Sequence, residues 1–255
     1  MTADEYTGER MEPQFTDAPT FWEHVQRYRF ALRFVRGQRV LDIACGEGYG
    51  TAAIAGAGAA QVIGVDLCEQ TCARTRVKYG IDARVGNADA IPLDDGSVDL
   101  VVSFETIEHL CNPVRFLNEC HRVLSSHGKL IISTPNRPVY RQRSPSNPHH
   151  HHEMTVAEFE DALRTQFDHV QLFGQNIPLP PLLSRRYIRR LPYTWYQAVA
   201  PHVVRDLVAD ERADAKAQIL RTSQWRDAFD PFAVKRMSAA RLQRACFITA
   251  TATRR

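Results

Sequence analysis

The chain has 255 residues, 44% of them hydrophobic, and a formal net charge of +3. That apolar content can fill the core of one large domain, and so small a net charge does not by itself imply a nucleic-acid partner. No apolar run approaches the roughly 20 residues of a membrane-crossing helix, and the polar, acidic opening MTADEYTGERMEPQ has no signal-like apolar stretch, so a cytoplasmic protein with no integral membrane segment is expected.

Short apolar runs alternate with helical patterns across the first two-thirds, as they do when successive βα units build a parallel sheet. Residues 1–35 are read as an N-terminal helix and lid, in which Tyr6, Glu9 and Arg10 fold over the site or fray. Strands are expected at 39–45, 61–66, 83–88, 98–104 and 129–134, with helices at 51–59, 69–79 and 113–124 between them. In the last of these helices Pro113 suits the first turn, and Val114, Leu117, Cys120 and Leu124 form the expected buried stripe. Thr155 with Glu158 three residues on reads as a capping box, opening a helix whose core face carries Phe159, Leu163 and Phe167. Further strands are expected at 169–174 and 245–253, the last closing the sheet antiparallel beside its predecessor.

Between those two strands the rhythm breaks. Residues 176–240 carry Pro, Arg and Trp, with helical patterns at 182–190, 194–208 and 211–221, and read as an insertion within one domain that spans 1–255. The remainder divides into a cofactor-binding core, 36–175, and a closing strand, 241–255. The segment SRRYIRRLPYTWY (184–196) reads as a solvated helix face over an apolar underside; the alternative, an RNA contact, would show as strong salt dependence of binding. The six cysteines show no CxxC pairing, so reduced thiols are expected rather than a disulfide framework or a zinc ribbon.

VLDIACGEGYG (40–50) is the most informative stretch. Gly46, Gly48 and Gly50 fall at the first strand-to-helix turn, where a ligand can lie across the strand ends if the backbone lets it approach. QVIGVD ends in Asp66, at the tip of the neighbouring strand, placed to accept both hydroxyl hydrogens of a ribose. The spacing is not that of a dinucleotide loop, and Glu47 would repel a phosphate, so a ribose-bearing, phosphate-free ligand is expected.

With VLDIACGEGYG, VIGVD and GNADAIPLDDGSVDLVVSFETIEHL in this order, the chain resembles the class I S-adenosylmethionine-dependent methyltransferases up to about residue 175. The resemblance implies a Rossmann-like, doubly wound α/β fold with a seven-stranded, mostly parallel sheet of order 3-2-1-4-5-7-6, the last strand antiparallel. It also implies that Asp42, Gly46, Gly48, Gly50 and Phe104 line the cofactor, Asp66 holds its ribose, Leu67 flanks its adenine, and Asn87, Ala88 and Asp89 meet the adenine edge.

An alcohol acceptor must shed a proton, so a base is expected beyond the fourth strand. SFETIEHL (103–110) presents His109, with a side-chain pKa near neutrality, and Glu108 to orient it; a structural or cofactor-side role for His109 remains the alternative. After the fifth strand comes NPHHHHEMT (147–155), from which His150 is expected to face the acceptor. TGERMEP, EHVQRY, STPN and NPHHHHEMT resemble a subgroup of sugar and glycan O-methyltransferases, some of which grip vicinal hydroxyls with magnesium. That resemblance makes Glu105, Glu108, Glu153 and Asn136 the expected Mg2+ ligands. The acceptor is then a sugar-containing small molecule of natural-product biosynthesis, with Tyr187, Tyr193, Trp195, Tyr196 and Trp225 stacking on it or forming lid core. The alternatives are a polyketide or quinone-type acceptor, or a subunit that holds the cofactor without turnover; self-association is left open.

Overall fold

Five apolar runs become parallel strands: β1 (Arg39–Ile43), β2 (Gln61–Asp66), β3 (Asp82–Val85), β4 (Val98–Phe104) and β5 (Leu124–Pro135). They are seen in a computed structural model that describes residues 18–142, 144, 147–175 and 234–255. Three more strands, β6 (Phe167–Gln175), β7 (Lys235–Arg236) and β8 (Phe247–Arg254), complete a sheet of order β3-β2-β1-β4-β5-β8-β6-β7. β8 runs antiparallel to both β5 and β6, so the expected order and the expected antiparallel last strand are present. Among the described residues the strand count is corrected from seven to eight. β7 is a two-residue edge that pairs Arg236 with Phe173 and Lys235 with Gly174, too short to leave any periodic signal in the sequence.

Helices α1 (Ala18–Ala31), α2 (Tyr49–Gly56), α3 (Glu69–Tyr79), α4 (Pro113–Val123), α5 (Arg137–Tyr140), α6 (Val156–Arg164) and α7 (Ala239–Leu242) join the strands. Alternate residues of the central strands face two separate cores, as they must when helices cover both sides of a sheet. Val40, Leu100, Val102 and Ile131 pack with Val25, Tyr28, Phe30 and Ile54 of α1 and α2. Leu41, Ile43, Val101, Leu130 and Ile132 pack with Phe116, Leu117, Cys120, Phe159 and Leu163 of α4 and α6.

Several boundaries move for local reasons. α2 begins at Tyr49, directly after its left-handed cap Gly48, and ends at Gly56 rather than 59. β3 stops at Val85 because Gly86 and Asn87 turn the chain, and Asn87 bridges to Ala90. β5 begins five residues early, continuing straight from α4 through His127, whose φ of +65° accompanies a register shift against β4. On α4 the buried stripe is Phe116, Leu117, Cys120 and Val123, while Val114 is exposed on its flank. The expected helices at 182–190, 194–208 and 211–221 lie outside the described residues, as do Tyr6, Glu9, Arg10, the arginine-rich segment and the five insertion aromatics.

The capping box forms as expected: Thr155 Oγ1 accepts the Glu158 N–H (3.3 Å) and Glu158 Oε2 accepts the Thr155 N–H (2.7 Å). Each bond satisfies a donor that helix geometry would otherwise leave open. Thr155→Ala is expected to lower stability by about 1 kcal/mol, read as a shifted denaturant midpoint at unchanged slope.

Candidate active site

Because β1, β2, β4 and β5 are parallel, their C-terminal ends share one edge, and Gly46, Asp66, Glu105, Glu108 and His109 follow directly from it. At the first turn Gly46 (φ +53°) and Gly48 (φ +72°) adopt left-handed backbone that L side chains resist. A Cβ on Gly48 would also lie 2.3 Å from Thr75 Cγ2. Gly50 has a different reason. It lies inside the first turn of α2, where a Cβ would sit 2.0 Å from the Tyr28 ring, so this glycine makes room for a protein side chain from α1.

The Tyr28 hydroxyl donates to Asp42, 3.2 Å from each carboxylate oxygen, and Thr51 Oγ1 donates to Oδ2 at 2.7 Å. Asp42 is 1% exposed, and burial raises its carboxyl to about 7 despite those two hydroxyls, with the Asp66 charge adding to the rise. Its carboxylate therefore braces α1 and α2 around the glycine turn. Phe104 packs edge-on against the same Tyr28 ring, 5.1 Å away.

Asp66, at the tip of β2, is nearly buried and held by backbone donors: Gly46 N–H to Oδ2 (2.9 Å) and Cys68 N–H to Oδ1 (3.0 Å). Each oxygen retains a lone pair for a further donor. Leu67 beside it is 73% exposed, a large apolar side chain standing in water. Beyond β3, Asn87 Oδ1 accepts the Asp89 N–H (2.9 Å), Ala88 is half-buried, and Arg115 Nε donates to the Asp89 carbonyl (2.9 Å). Among the described residues Asp89 Oδ1 is buried without a hydrogen-bond partner, and such an acceptor calls for a donor. A diol at Asp66, an apolar ring face at Leu67 and an amine at Asp89 are what an adenosine offers, so these residues fit that group. The phosphate argument is corrected, however: Arg74 pairs with Glu47 at 2.5 Å and offsets the charge that was to repel a phosphate.

On the other half of the edge, Glu105 (φ +53°) accepts from Ser133 Oγ at 2.6 Å and lies 3.9 Å from Arg27 Nε. The 3-10 turn Ile107–His109 follows. Glu108 is fully buried; Thr134 Oγ1 donates to its Oε2 (3.3 Å), and Oε1 has no hydrogen-bond partner among the described residues. Burial, then the Glu105 charge, push the Glu108 carboxyl well above the usual range. The Glu108 carbonyl accepts the N–H groups of His151 (2.8 Å) and His152 (2.9 Å), clipping the histidine loop onto this turn. His109 Nδ1 lies 3.1 Å from the His149 carbonyl, and its ring meets His150 edge-on at 4.8 Å. His150 stacks on Tyr140 (5.3 Å) with Nδ1 2.9 Å from Glu153 Oε1, and Arg141 Nε donates to Glu153 Oε2 (2.6 Å).

Glu108, His109 and His150 thus converge: one potential ligand atom from each lies within 4.8 Å of the others. Of the residues expected to hold magnesium, Glu105 accepts from Ser133, Glu153 accepts from Arg141 and lies 2.9 Å from His150 Nδ1, and the buried Asn136 donates through Nδ2 to the carbonyls of Gln243 (3.1 Å) and Ala245 (2.8 Å), its Oδ1 having no hydrogen-bond partner among the described residues. Two imidazoles and one carboxylate are also not the all-oxygen shell that magnesium takes.

Sequence reasoning missed the part played by α1. Arg27 is fully buried, donating through Nη1 to Gln175 Oε1 (2.8 Å) and lying 4.7 Å over the Phe247 ring, while its Nε and Nη2 have no hydrogen-bond partner among the described residues. A run of buried polar residues, Glu23, Gln26, Arg27 and Tyr28, was the available signal, but Gln175 is 148 residues away from Arg27.

This sheet order, with the glycine turn and the acid on the next strand tip, is the Rossmann-like methyltransferase fold, and residues 41–132 match the family described as Methyltransferase domain. A Mycolicibacterium smegmatis protein named "Probable S-adenosylmethionine-dependent methyltransferase" is 41% identical over 164 residues, 62% of this chain and 63% of that protein. A ubiquinone biosynthesis O-methyltransferase from Parvibaculum lavamentivorans is 35% identical over 114 residues, 43% of this chain and 45% of its own. The matched segments therefore span under two-thirds of these relatives. Among solved structures, an SAM-dependent methyltransferase from Thermotoga maritima superposes with TM-score 0.61 at 17% identity, covering 93% of this chain and 92% of that one, which shows the common fold.

The Asp42 shift has a measurable consequence. Between the ordinary 3.8 and about 7 the folded chain keeps a proton that the unfolded chain has released. The stability from this group is therefore full below the lower value and declines as pH rises to the upper one. Asp42→Asn removes the titration, so the stability of the wild type minus that of the variant is expected to fall across this window and level off above it, measured by urea denaturation at a series of pH values.

Proposed function

We propose that the protein is an S-adenosylmethionine-dependent O-methyltransferase acting on a hydroxyl of a sugar or sugar-containing small molecule. The observation that carries this reading is the division of one sheet edge into two halves. One half, Asp66, Leu67 and Asp89, suits an adenosine; the other, Glu108, His109 and His150, suits a hydroxyl that must lose a proton. When bound, S-adenosylmethionine supplies an electrophilic methyl group on a sulfonium.

The chain's own residues do the rest. Asp66 accepts the ribose hydroxyl hydrogens, Asp89 Oδ1 accepts an adenine amine hydrogen and Leu67 covers the ring, with Gly46 and Gly48 keeping the turn clear. His109 Nδ1 faces a carbonyl, which only accepts, so the proton sits on Nδ1 and Nε2 carries the lone pair that takes the hydroxyl proton. The sugar assignment rests on the likeness of Asn147, Pro148, His150 and Glu153 to the glycan subgroup. A quinone-type phenol is the second reading, favoured by the similarity to the Parvibaculum lavamentivorans ubiquinone enzyme.

Asp66→Ala is expected to weaken S-adenosylmethionine binding by about tenfold to a hundredfold in calorimetry, with an unchanged circular dichroism spectrum; equal affinity would remove the ribose assignment. His109→Ala is expected to cut turnover by about a hundredfold or more while keeping cofactor affinity, and a fully active variant would sink its role. Transfer of labelled methyl across a panel of glycosides and hydroquinols decides between the two acceptor classes.

A further inference from the structure

We propose that Glu108, His109 and His150 form a site for a divalent cation of the zinc class, backed by Glu153. Three potential ligand atoms lie within 4.8 Å of one another, and three is the number of side chains a catalytic zinc site uses while keeping one position open; a closing of roughly 1 Å brings them to the spacing of about 3.4 Å that tetrahedral bonds of about 2.1 Å require. The donor type selects the ion: imidazole nitrogens favour zinc and its first-row neighbours over magnesium.

Both histidines are held in the tautomer that such a site needs. The His150 Nδ1 hydrogen is taken by Glu153 Oε1 at 2.9 Å, and that carboxylate is fixed by Arg141 at 2.6 Å, so Nε2 presents the lone pair. This is the carboxylate–histidine arrangement that orients metal-bound imidazoles. His109 is oriented the same way by the His149 carbonyl at 3.1 Å. Independently, Glu108 Oε1 is a buried carboxylate oxygen with no hydrogen-bond partner among the described residues, a group that is costly to leave unmatched and that a cation would satisfy. The bonds from His151 and His152 to the Glu108 carbonyl already join the two segments that carry the ligands, so the site needs little rearrangement. A purely structural role for the His150–Glu153–Arg141 chain would account for the loop's anchoring, yet it leaves Glu108 Oε1 unexplained.

The inference rests on the methyl-transfer reading only in taking this half of the edge as the acceptor side, where a bound cation would hold the hydroxyl and assume the part given to His109. The test uses the full chain, stripped with chelator and without cofactor or acceptor. Titration with Co2+, followed by its visible d–d absorption, and with Zn2+ by calorimetry is expected to show one ion per chain. His150→Ala should abolish that binding, and Glu153→Gln should weaken it by about tenfold to a hundredfold, as loss of an orienting carboxylate does. The double variant His149→Ala/His151→Ala should bind as the wild type does. Absence of stoichiometric binding, or its loss in the double variant and not in His150→Ala, would overturn the site. Each variant's thermal melt without metal shows whether it has folded, and Zn2+ should raise the wild-type melting temperature but not that of His150→Ala. Methyl transfer that persists under chelation, with no Co2+ signal, would refute the cation and leave His109 as base; cation binding without any methyl transfer would do the reverse.

Discussion

A buried carboxylate shared by two helices organises this molecule. Asp42 stands in the middle of the sheet, and the hydroxyls of Tyr28 on α1 and Thr51 on α2 both turn to it. An unpaired carboxylate at that depth would be too costly to keep, so its partners are obliged to be present. Their presence dictates much else: the Tyr28 ring lies where a side chain on residue 50 would be, and its edge contacts with Tyr49 (5.4 Å) and Phe104 (5.1 Å) tie the ends of β1 and β4 to the N-terminal helix. The glycine turn is thus shaped from behind by packing as well as from in front by what it is to receive.

That dual cause explains what could be seen in the sequence and what could not. The five parallel strands and the capping box at Thr155 come from local rules, alternation of apolar runs and helix-end chemistry, and were legible, whereas the strand order came with the family resemblance and the two-residue β7 left no signal. Asp66 and the pair Glu108–His109 were legible because their place follows from strand ends. The partners that tune them were not. Arg74 opposite Glu47, Ser133 on Glu105, Thr134 on Glu108 and Arg141 on Glu153 are meetings between segments 12 to 28 residues apart, and nothing local marks them. Gly50 shows the same limit from the other side: a glycine in a ligand-binding pattern was read as making way for a ligand, when the atoms that exclude a side chain belong to Tyr28.

The histidine run shows how backbone, more than composition, assigns chemistry. Four adjacent side chains cannot converge, and they do not: His149 contributes its carbonyl to His109, His151 and His152 contribute N–H groups to Glu108, and His150 alone is turned inward, against Tyr140 and Glu153. Backbone groups of His149, His151 and His152 thus serve this junction, the His152 ring besides meeting the Cys111 carbonyl at 3.2 Å, and the imidazole turned inward is singled out by a carboxylate three residues on.

Charge across the edge follows the same division. The adenosine-fitting half gathers Asp42, Asp66 and Asp89, and of the cations beside it Arg74 is spent on Glu47 while Arg115 donates through Nε to the Asp89 carbonyl. A ligand that brings positive charge suits that half, as a sulfonium does and a pyrophosphate does not; this reason survives the loss of the original one based on Glu47. The other half sets Glu105 and Glu108 beside Arg27, a fully buried cation that donates through Nη1 to Gln175 and makes a long 3.9 Å approach to Glu105, its Nε and Nη2 having no hydrogen-bond partner among the described residues. Two acids and one guanidinium leave an excess of negative charge where Glu108 is fully buried and Glu105 largely so. Such an excess is relieved by a proton or by a cation, and the two imidazoles facing Glu108 are groups that can carry the one or bind the other.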